Sequence, residues 1–162
     1  GLLRIGGQPG SAASYVTVSG GSLTAGNVWV TNSGSLYVAK QGAMNVAGTL
    51  TVSSTTSATT VVALGVDMAD NPTDSSAYIT ANAILFDVNG DYVIDLKNAN
   101  NTVDATILLL QVATDVGADI KAISWEIAGV DPSRVTTQWI DNNFYLHVSA
   151  VPEPALAAGL MV

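Results

Sequence analysis

Four copies of one five-residue pattern lie between Gly21 and Val52: Gly21-Ser22-Leu23-Thr24-Ala25, Gly34-Ser35-Leu36-Tyr37-Val38, Gly42-Ala43-Met44-Asn45-Val46 and Gly48-Thr49-Leu50-Thr51-Val52. Each copy places two aliphatic or alanine residues two positions apart, so both point to one face of a short strand. The glycine that opens each copy allows the chain to turn into the strand. Short strands separated by glycine at close intervals are typical of a β-solenoid.

The same aliphatic–outward–aliphatic triplet occurs outside these copies, at residues 3–5, 16–18 and 28–30. Two strands and a turn make a unit of 12 to 13 residues, and one solenoid turn takes roughly 20 or more residues. Residues 1–56 therefore provide two to three coils, with Thr24, Trp29, Tyr37, Asn45 and Thr51 facing outward.

The composition excludes some classes of function. Hydrophobic residues make up 48% of the 162 residues and charged residues only 11%, so Ser, Thr, Asn, Gly and Ala must form much of the surface. The net charge is −8, and no basic patch exists that would bind nucleic acid. The chain contains no cysteine, which excludes disulfides and thiolate metal sites.

The charge is unevenly distributed along the chain. Residues 1–66 contain Arg4 and Lys40 and no acid, whereas all 13 acids lie from Asp67 onward. One interpretation is that a solenoid coated in Thr and Ser needs no charge. The other interpretation is that a weakly positive N-terminal end meets the acidic C-terminal end of a neighbouring copy.

The second half of the chain is also predicted to form strands. Residues 83–88 and 91–96 flank Asn89-Gly90, which favours a hairpin with a type I′ turn, although a turn between solenoid strands would use the same residues. A second hairpin is predicted around Asn142-Asn143, and residues 105–113 and 120–127 are predicted strands. We therefore predict an all-β fold: a short parallel β-solenoid (residues 1–66), an acidic β-rich region with hairpins (67–150) and a tail (151–162).

One acidic segment resembles a calcium loop. Asp87, Asn89, Asp91 and Asp95 carry oxygen ligands at loop positions one, three, five and nine, as a hard cation requires. Tyr92 stands where an EF-hand loop needs glycine, and the flanking segments are strand-like. The alternative is an Asn-Gly hairpin with acidic edges.

Outward aromatic residues give a candidate glycan site. Trp29 and Tyr37, together with Tyr15, are predicted to form a strip on which sugar rings stack. The alternative is that these rings pack against a neighbouring domain. His147 is the only histidine, so a transition-metal site is not expected.

The N-terminal strand is the candidate assembly site. Leu2, Leu3, Arg4 and Ile5 would form the first strand of the solenoid, with no capping helix before it. An uncapped edge exposes backbone N–H and C=O groups that pair with another strand. We expect this edge to accept a strand from another copy, and contact that does not close into a ring gives a filament.

The tail carries a resemblance to a known signal. Val151, Pro152, Glu153 and Pro154, followed by a small apolar stretch, resemble the PEP-CTERM sorting signal of Gram-negative bacteria. The glycine–leucine–valine repeats and the strands before the tail also resemble the β-solenoid surface proteins that carry this signal. The resemblance implies export to the cell surface or beyond, a biofilm or exopolysaccharide setting, and only transient membrane contact through the signal.

These observations predict a secreted structural protein of an extracellular matrix, surface layer or fibre. Its expected partner is itself, through open β-solenoid ends, with exopolysaccharide as a further candidate partner. The alternative is a polysaccharide-binding adhesion module, with calcium as its candidate ion. No catalytic constellation stands out, so neither an enzyme nor a cofactor is predicted.

Overall fold

The computed structural model describes residues 1–7, 12–39, 42–53, 62–70, 74–87, 90–99 and 104–151. The strands, in chain order, are β1 (Leu2–Ile5), β2 (Ser14–Ser19), β3 (Ser22–Ala25), β4 (Asn27–Thr31), β5 (Gly34–Ala39), β6 (Ala43–Ser53), β7 (Val62–Asp67), β8 (Ile79–Phe86), β9 (Tyr92–Lys97), β10 (Ala105–Val112), β11 (Glu126–Ala128), β12 (Val135–Ile140) and β13 (Asn143–Val148). One short helix, α1 (Ala118–Lys121), and two 3-10 turns, Met68–Asp70 and Pro132–Arg134, complete the described elements. The predicted all-β class is confirmed.

The strands form two sheets. The larger sheet has the order β1-β4-β6-β8-β10-β13-β12, and β3 also pairs with β6. The smaller sheet has the order β11-β9-β7-β5-β2. From β4 to β11 the chain passes alternately from one sheet to the other, and each of these strands pairs in parallel with an earlier strand of its own sheet. Among the strands that the structure describes, only the pairs β10–β13 and β12–β13 are antiparallel.

Aliphatic side chains stack in register between the sheets. In the larger sheet the inward row runs through Leu23, Met44, Ile79 and Leu110. In the smaller sheet it runs through Val16, Leu36, Leu64, Ile94 and Ile127. The middle residues of both rows are completely buried, and burial of each such side chain contributes about 1.5–3 kcal/mol. The predicted inward positions of the repeat are therefore confirmed.

The outer faces carry polar residues. Thr24, Asn45, Thr80 and Gln111 occupy one outward row of the larger sheet, and Thr80 Oγ1 donates a hydrogen bond to Asn45 Oδ1 over 2.9 Å. Of the residues predicted to face outward, Trp29, Tyr37, Asn45 and Thr51 are more exposed than their inward neighbours, and Thr24 is exposed together with its neighbour Leu23. Parallel sheets usually have both faces covered, so this polar coat is a distinguishing feature of the chain.

The hairpin predicted around Asn89-Gly90 is wrong. The strands before and after this turn, β8 and β9, belong to different sheets, because β8 pairs with β6 and β10 whereas β9 pairs with β7 and β11. The turn therefore carries the chain from one sheet to the other, which is the alternative that the same dipeptide allows. Asn89 itself lies outside the described residues.

The second predicted hairpin is confirmed, with its turn one residue earlier. β12 and β13 pair antiparallel from Val135–Val148 to Ile140–Asn143, so Asp141 and Asn142 form the turn. Asp141 adopts a positive φ of 52°. The strand predicted over 120–127 is wrong in its first part, since residues 118–121 form α1 and only Glu126–Ala128 is a strand.

Aromatic rings fill the C-terminal part of the core. Trp125 lies 5.6 Å from the ring centroid of Phe86 and 5.4 Å from that of Phe144, and Phe144 in turn contacts Trp139 at 4.9 Å. Buried residues from β1 to β13 belong to one continuous cluster. Among the helices of the described residues, none has the length and apolar character needed to cross a membrane.

Candidate functional site

The N-terminal edge, defined here as β1, β2 and β3, exposes large apolar side chains. Leu2 on β1 is 61% exposed, Tyr15 on β2 is 75% exposed, and Leu23 on β3 is 38% exposed. Half of the exposed large hydrophobic residues in the described chain lie on these three strands. The predicted assembly residues Leu2, Leu3, Arg4 and Ile5 are the whole of β1.

The exposure of Leu23 follows from the strand order, whereas Leu2 and Tyr15 are exposed because they point to the outer faces. Leu23 occupies an inward position in register with Met44 and Ile79, which are fully buried. β3 has a strand on one side only, as have β1 and β2, among the described strands. The inward rows therefore end at this edge with aliphatic side chains, beside unpaired backbone groups.

The opposite edge, formed by β12 and β11, differs in chemistry. The inward position of β12 opposite fully buried Leu146 is Thr137, which is exposed. The outer side of β12 also carries the exposed residues Thr136 and Gln138. The inward positions on either side of Thr137, Val135 and Trp139, are apolar and pack against the core, so this edge combines polar and apolar positions.

Trp29 lies on the outer face of the larger sheet. Its Nε1 donates a hydrogen bond to Ser53 Oγ over 2.8 Å, and the Arg4 guanidinium lies 4.8 Å from its ring centroid. The ring is therefore partly covered, and its polar atom already has a partner.

Tyr37 lies on the outer face of the smaller sheet, so Trp29 and Tyr37 do not form one strip. The Tyr37 ring crosses Gly65, and its hydroxyl donates a hydrogen bond to Asp95 Oδ2 over 2.7 Å. Lys97 Nζ lies 3.8 Å from the ring centroid. Burial, and then the adjacent Asp95 carboxylate, raise the pKa of Tyr37 to about 12, because both disfavour the phenolate. A Cβ at position 65 would overlap the ring, so glycine permits this cross-strand contact.

Of the predicted calcium ligands, the structure describes Asp87, Asp91 and Asp95. Asp95 accepts the Tyr37 hydroxyl on β9, and the Asp87 main-chain carbonyl accepts the Tyr92 hydroxyl. Asp91 is exposed, and Asn89 lies outside the described residues. No group of three or more His, Asp or Glu side chains that could hold a metal ion occurs in the part of the chain that the structure describes.

A cleft that the sequence did not reveal lies on the outer face of the C-terminal strands. It has a volume of about 420 Å³ and is lined by Asp74, Thr106, Thr136, Gln138, Ile140, Tyr145 and His147. Three of these residues come from β12 and two from β13, so their proximity depends on the hairpin register. The sequence of β13 indicates which of its residues face outward. It does not indicate which residues of β10 and β12 lie beside them.

The tail is described only at its first residue. Val151 is 46% exposed. Pro152, Glu153 and Pro154 of the predicted sorting signal lie outside the described residues.

The chain matches no protein-family model, no curated protein and no solved structure.

Proposed function

We propose that the chain is a short parallel β-solenoid that serves as a secreted structural protein and associates with other copies through its N-terminal edge. One observation carries this proposal: the stacked aliphatic rows end uncovered at β1, β2 and β3, where Leu23 is exposed at an inward position and Leu2 and Tyr15 are exposed on the outer faces of the same edge. A strand added at this edge would satisfy backbone groups and bury apolar area simultaneously.

The strand directions favour a head-to-tail contact. β13 is antiparallel to β10 and β12 is antiparallel to β13, so β12 runs in the same direction as β10 and β1. The outermost strands of the smaller sheet, β2 and β11, also share one direction. A copy shifted along the stack would therefore place β1 parallel to β12 of its neighbour, and repetition of that shift gives an open filament.

The larger sheet would form this contact first. It continues through β13 and β12 beyond β10, whereas the smaller sheet ends at β11. Two strand spacings correspond to about 10 Å, so β11 and the incoming β2 would remain apart when β12 and β1 pair. The proposed junction accordingly depends on residues 2–5 of one copy and 135–140 of the next.

The proposed setting is extracellular, at the outer surface or in the matrix of a Gram-negative bacterium. The low charge and the resemblance of residues 151–154 to a sorting signal support it. In this setting the membrane is contacted only during sorting, and the role is structural with no catalytic step.

The test is negative-stain electron microscopy of the purified chain over a dilution series, with size-exclusion chromatography. Leu2→Lys places a charge on the edge strand and should abolish filaments at concentrations where the original chain forms them. Leu85→Lys is the matched control, since Leu85 is 59% exposed on β8 and Leu2 is 61% exposed on β1. The control should form filaments normally.

Monodisperse particles of the unsubstituted chain at every concentration would refute the proposal. Equal loss of filaments in both lysine variants would also refute it, because the effect would then reflect surface hydrophobicity in general and not the edge.

A further inference from the structure

We infer that the cleft on the outer face of β10, β13 and β12 binds a neutral polysaccharide. The cleft is separate from the N-terminal edge. Thr136, Gln138 and Ile140 of its lining lie on β12, the strand proposed to pair with β1 of the next copy, so binding is to be measured on the unassembled chain. Its volume of about 420 Å³ falls within the range of small-molecule sites, about 300–1,000 Å³.

The register of β10, β13 and β12 aligns the polar side chains of the cleft in rows across the strands. Thr106, His147 and Thr136 are direct neighbours across the strands, and Tyr145 is the neighbour of Gln138. The alternate residues of β13, namely Phe144, Leu146 and Val148, are buried in the core. The backbone of a well-packed strand therefore holds Tyr145 and His147 in place on the outer face.

These side chains are available to a ligand. Thr106 Oγ1 and His147 Nδ1 lie 3.3 Å apart. Within the described part of the chain, the side chains of Thr136, Gln138 and Tyr145 have no hydrogen-bond partner. Hydroxyl, amide and imidazole groups both donate and accept hydrogen bonds, which suits the hydroxyl groups of a sugar.

The charge of the cleft selects against anionic ligands. Asp74 contributes a carboxylate, and no lysine or arginine is among the lining residues. A phosphate, sulfate or uronate would meet this carboxylate without a cation to offset it. Tyr145 and Ile140 add flat and apolar surface, against which the C–H face of a sugar ring can pack. The combination fits a neutral, hydroxyl-rich chain better than a purely apolar or an anionic molecule.

The experiment is affinity gel electrophoresis of the full chain, with dextran, galactomannan or hydroxyethylcellulose in the gel as neutral probes and alginate as the anionic probe. At least one neutral polysaccharide should retard migration, and alginate should not. Tyr145→Ala should weaken the retardation about tenfold in dissociation constant, equivalent to about 1.4 kcal/mol. Gln138→Ala should weaken it as well, and Tyr145→Phe should retain most of the binding because the ring is kept.

Leu85→Ala is the control, since Leu85 is 59% exposed on β8 and is not among the residues that line the cleft. It should bind like the unsubstituted chain, at concentrations below those that give filaments. Circular dichroism of each variant is the check that it is folded. Filament formation by Tyr145→Ala should remain normal, which separates this inference from the proposed function.

Three results would overturn the inference. The first is that no neutral probe retards the chain, and the second is that alginate retards it more strongly than the neutral probes do. The third is that the folded Tyr145→Ala and Gln138→Ala variants bind as well as the unsubstituted chain.

Discussion

At the scale of single residues, the outer faces are built from contacts between residues distant in sequence. Tyr37 and Asp95 are 58 positions apart, yet one hydrogen bond of 2.7 Å joins them across Gly65. The sequence predicted that Tyr37 faces outward, because the residues on either side of it are aliphatic. It did not predict Asp95 as the partner, since strand alternation fixes the face of a residue but not the strand beside it.

Tyr37→Phe tests this contact through its dependence on pH. The substitution should lower the free energy of unfolding by about 1 kcal/mol near neutral pH, the usual net value of a hydrogen bond. The folded chain raises the pKa of Tyr37 from 10.0 to about 12, so the stabilisation is complete below pH 10. It is lost as the pH rises from 10 towards 12, because the unfolded chain releases the proton first.

The measurement is urea unfolding of both proteins at pH 8, 10 and 11, where the difference between them should shrink at the highest pH. Tyr15→Phe serves as the control and should alter stability little at any of these values, since Tyr15 is 75% exposed. A difference that stays constant or grows between pH 10 and 11 would contradict the account of Tyr37.

At the scale of elements, the strands of the repeat were predictable and their connections were not. The alternation in residues 21–52 predicted β5 and β6 because each inward residue there is aliphatic or alanine. Asn89-Gly90 predicted a hairpin wrongly, because a turn signal specifies that the chain reverses but not which sheet receives the next strand. The hairpin of β12 and β13 was predicted correctly, since its two strands are adjacent in both sequence and sheet.

Alanine substitutions at Gly20 and Gly129 compare the stability cost of backbone strain alone with the cost of backbone strain plus steric overlap. Gly20 and Gly129 both have positive φ, 65° and 83°, but only at Gly129 would a Cβ overlap a neighbouring strand, at the Leu96 carbonyl. Gly20→Ala should cost about 1 kcal/mol of stability from conformation alone. Gly129→Ala should cost about 2 kcal/mol or more, because β11 must also move away from β9.

Thermal and urea unfolding of both alanine variants give the comparison. Equal losses would show that the approach of β11 to β9 contributes nothing beyond the backbone conformation of Gly129.

At the scale of the whole molecule, parallel strand pairs join the predicted solenoid region (residues 1–66) to the predicted acidic region (67–150). β6 pairs with β8 in the larger sheet and β7 pairs with β9 in the smaller sheet, so strands from both regions are paired in each sheet and share one core. The change in charge at Asp67 suggested two regions, because composition records the surface and not the pairing. The described strands and their common core instead favour cooperative unfolding.

Leu50→Ala tests this cooperativity. Leu50 is completely buried on β6, and its loss should cost about 2–5 kcal/mol. Hydrogen exchange followed by mass spectrometry should show faster exchange in residues 43–53 and, to the same extent in free energy, in residues 143–148. Faster exchange confined to the first segment would show that the two parts of the core open independently.

The seven successive strands of the larger sheet, from β1 to β12, set a length that X-ray fibre diffraction can measure. Neighbouring strands are about 4.8 Å apart, so a fibre joined through β12 and β1 would advance about 34 Å for each copy along its axis. An oriented sample would give a meridional reflection at the strand spacing and a weaker set of layer lines indexing on that longer repeat. The antiparallel β13, which occurs once per copy, would mark every period and distinguish such a fibre from amyloid of uniform strands.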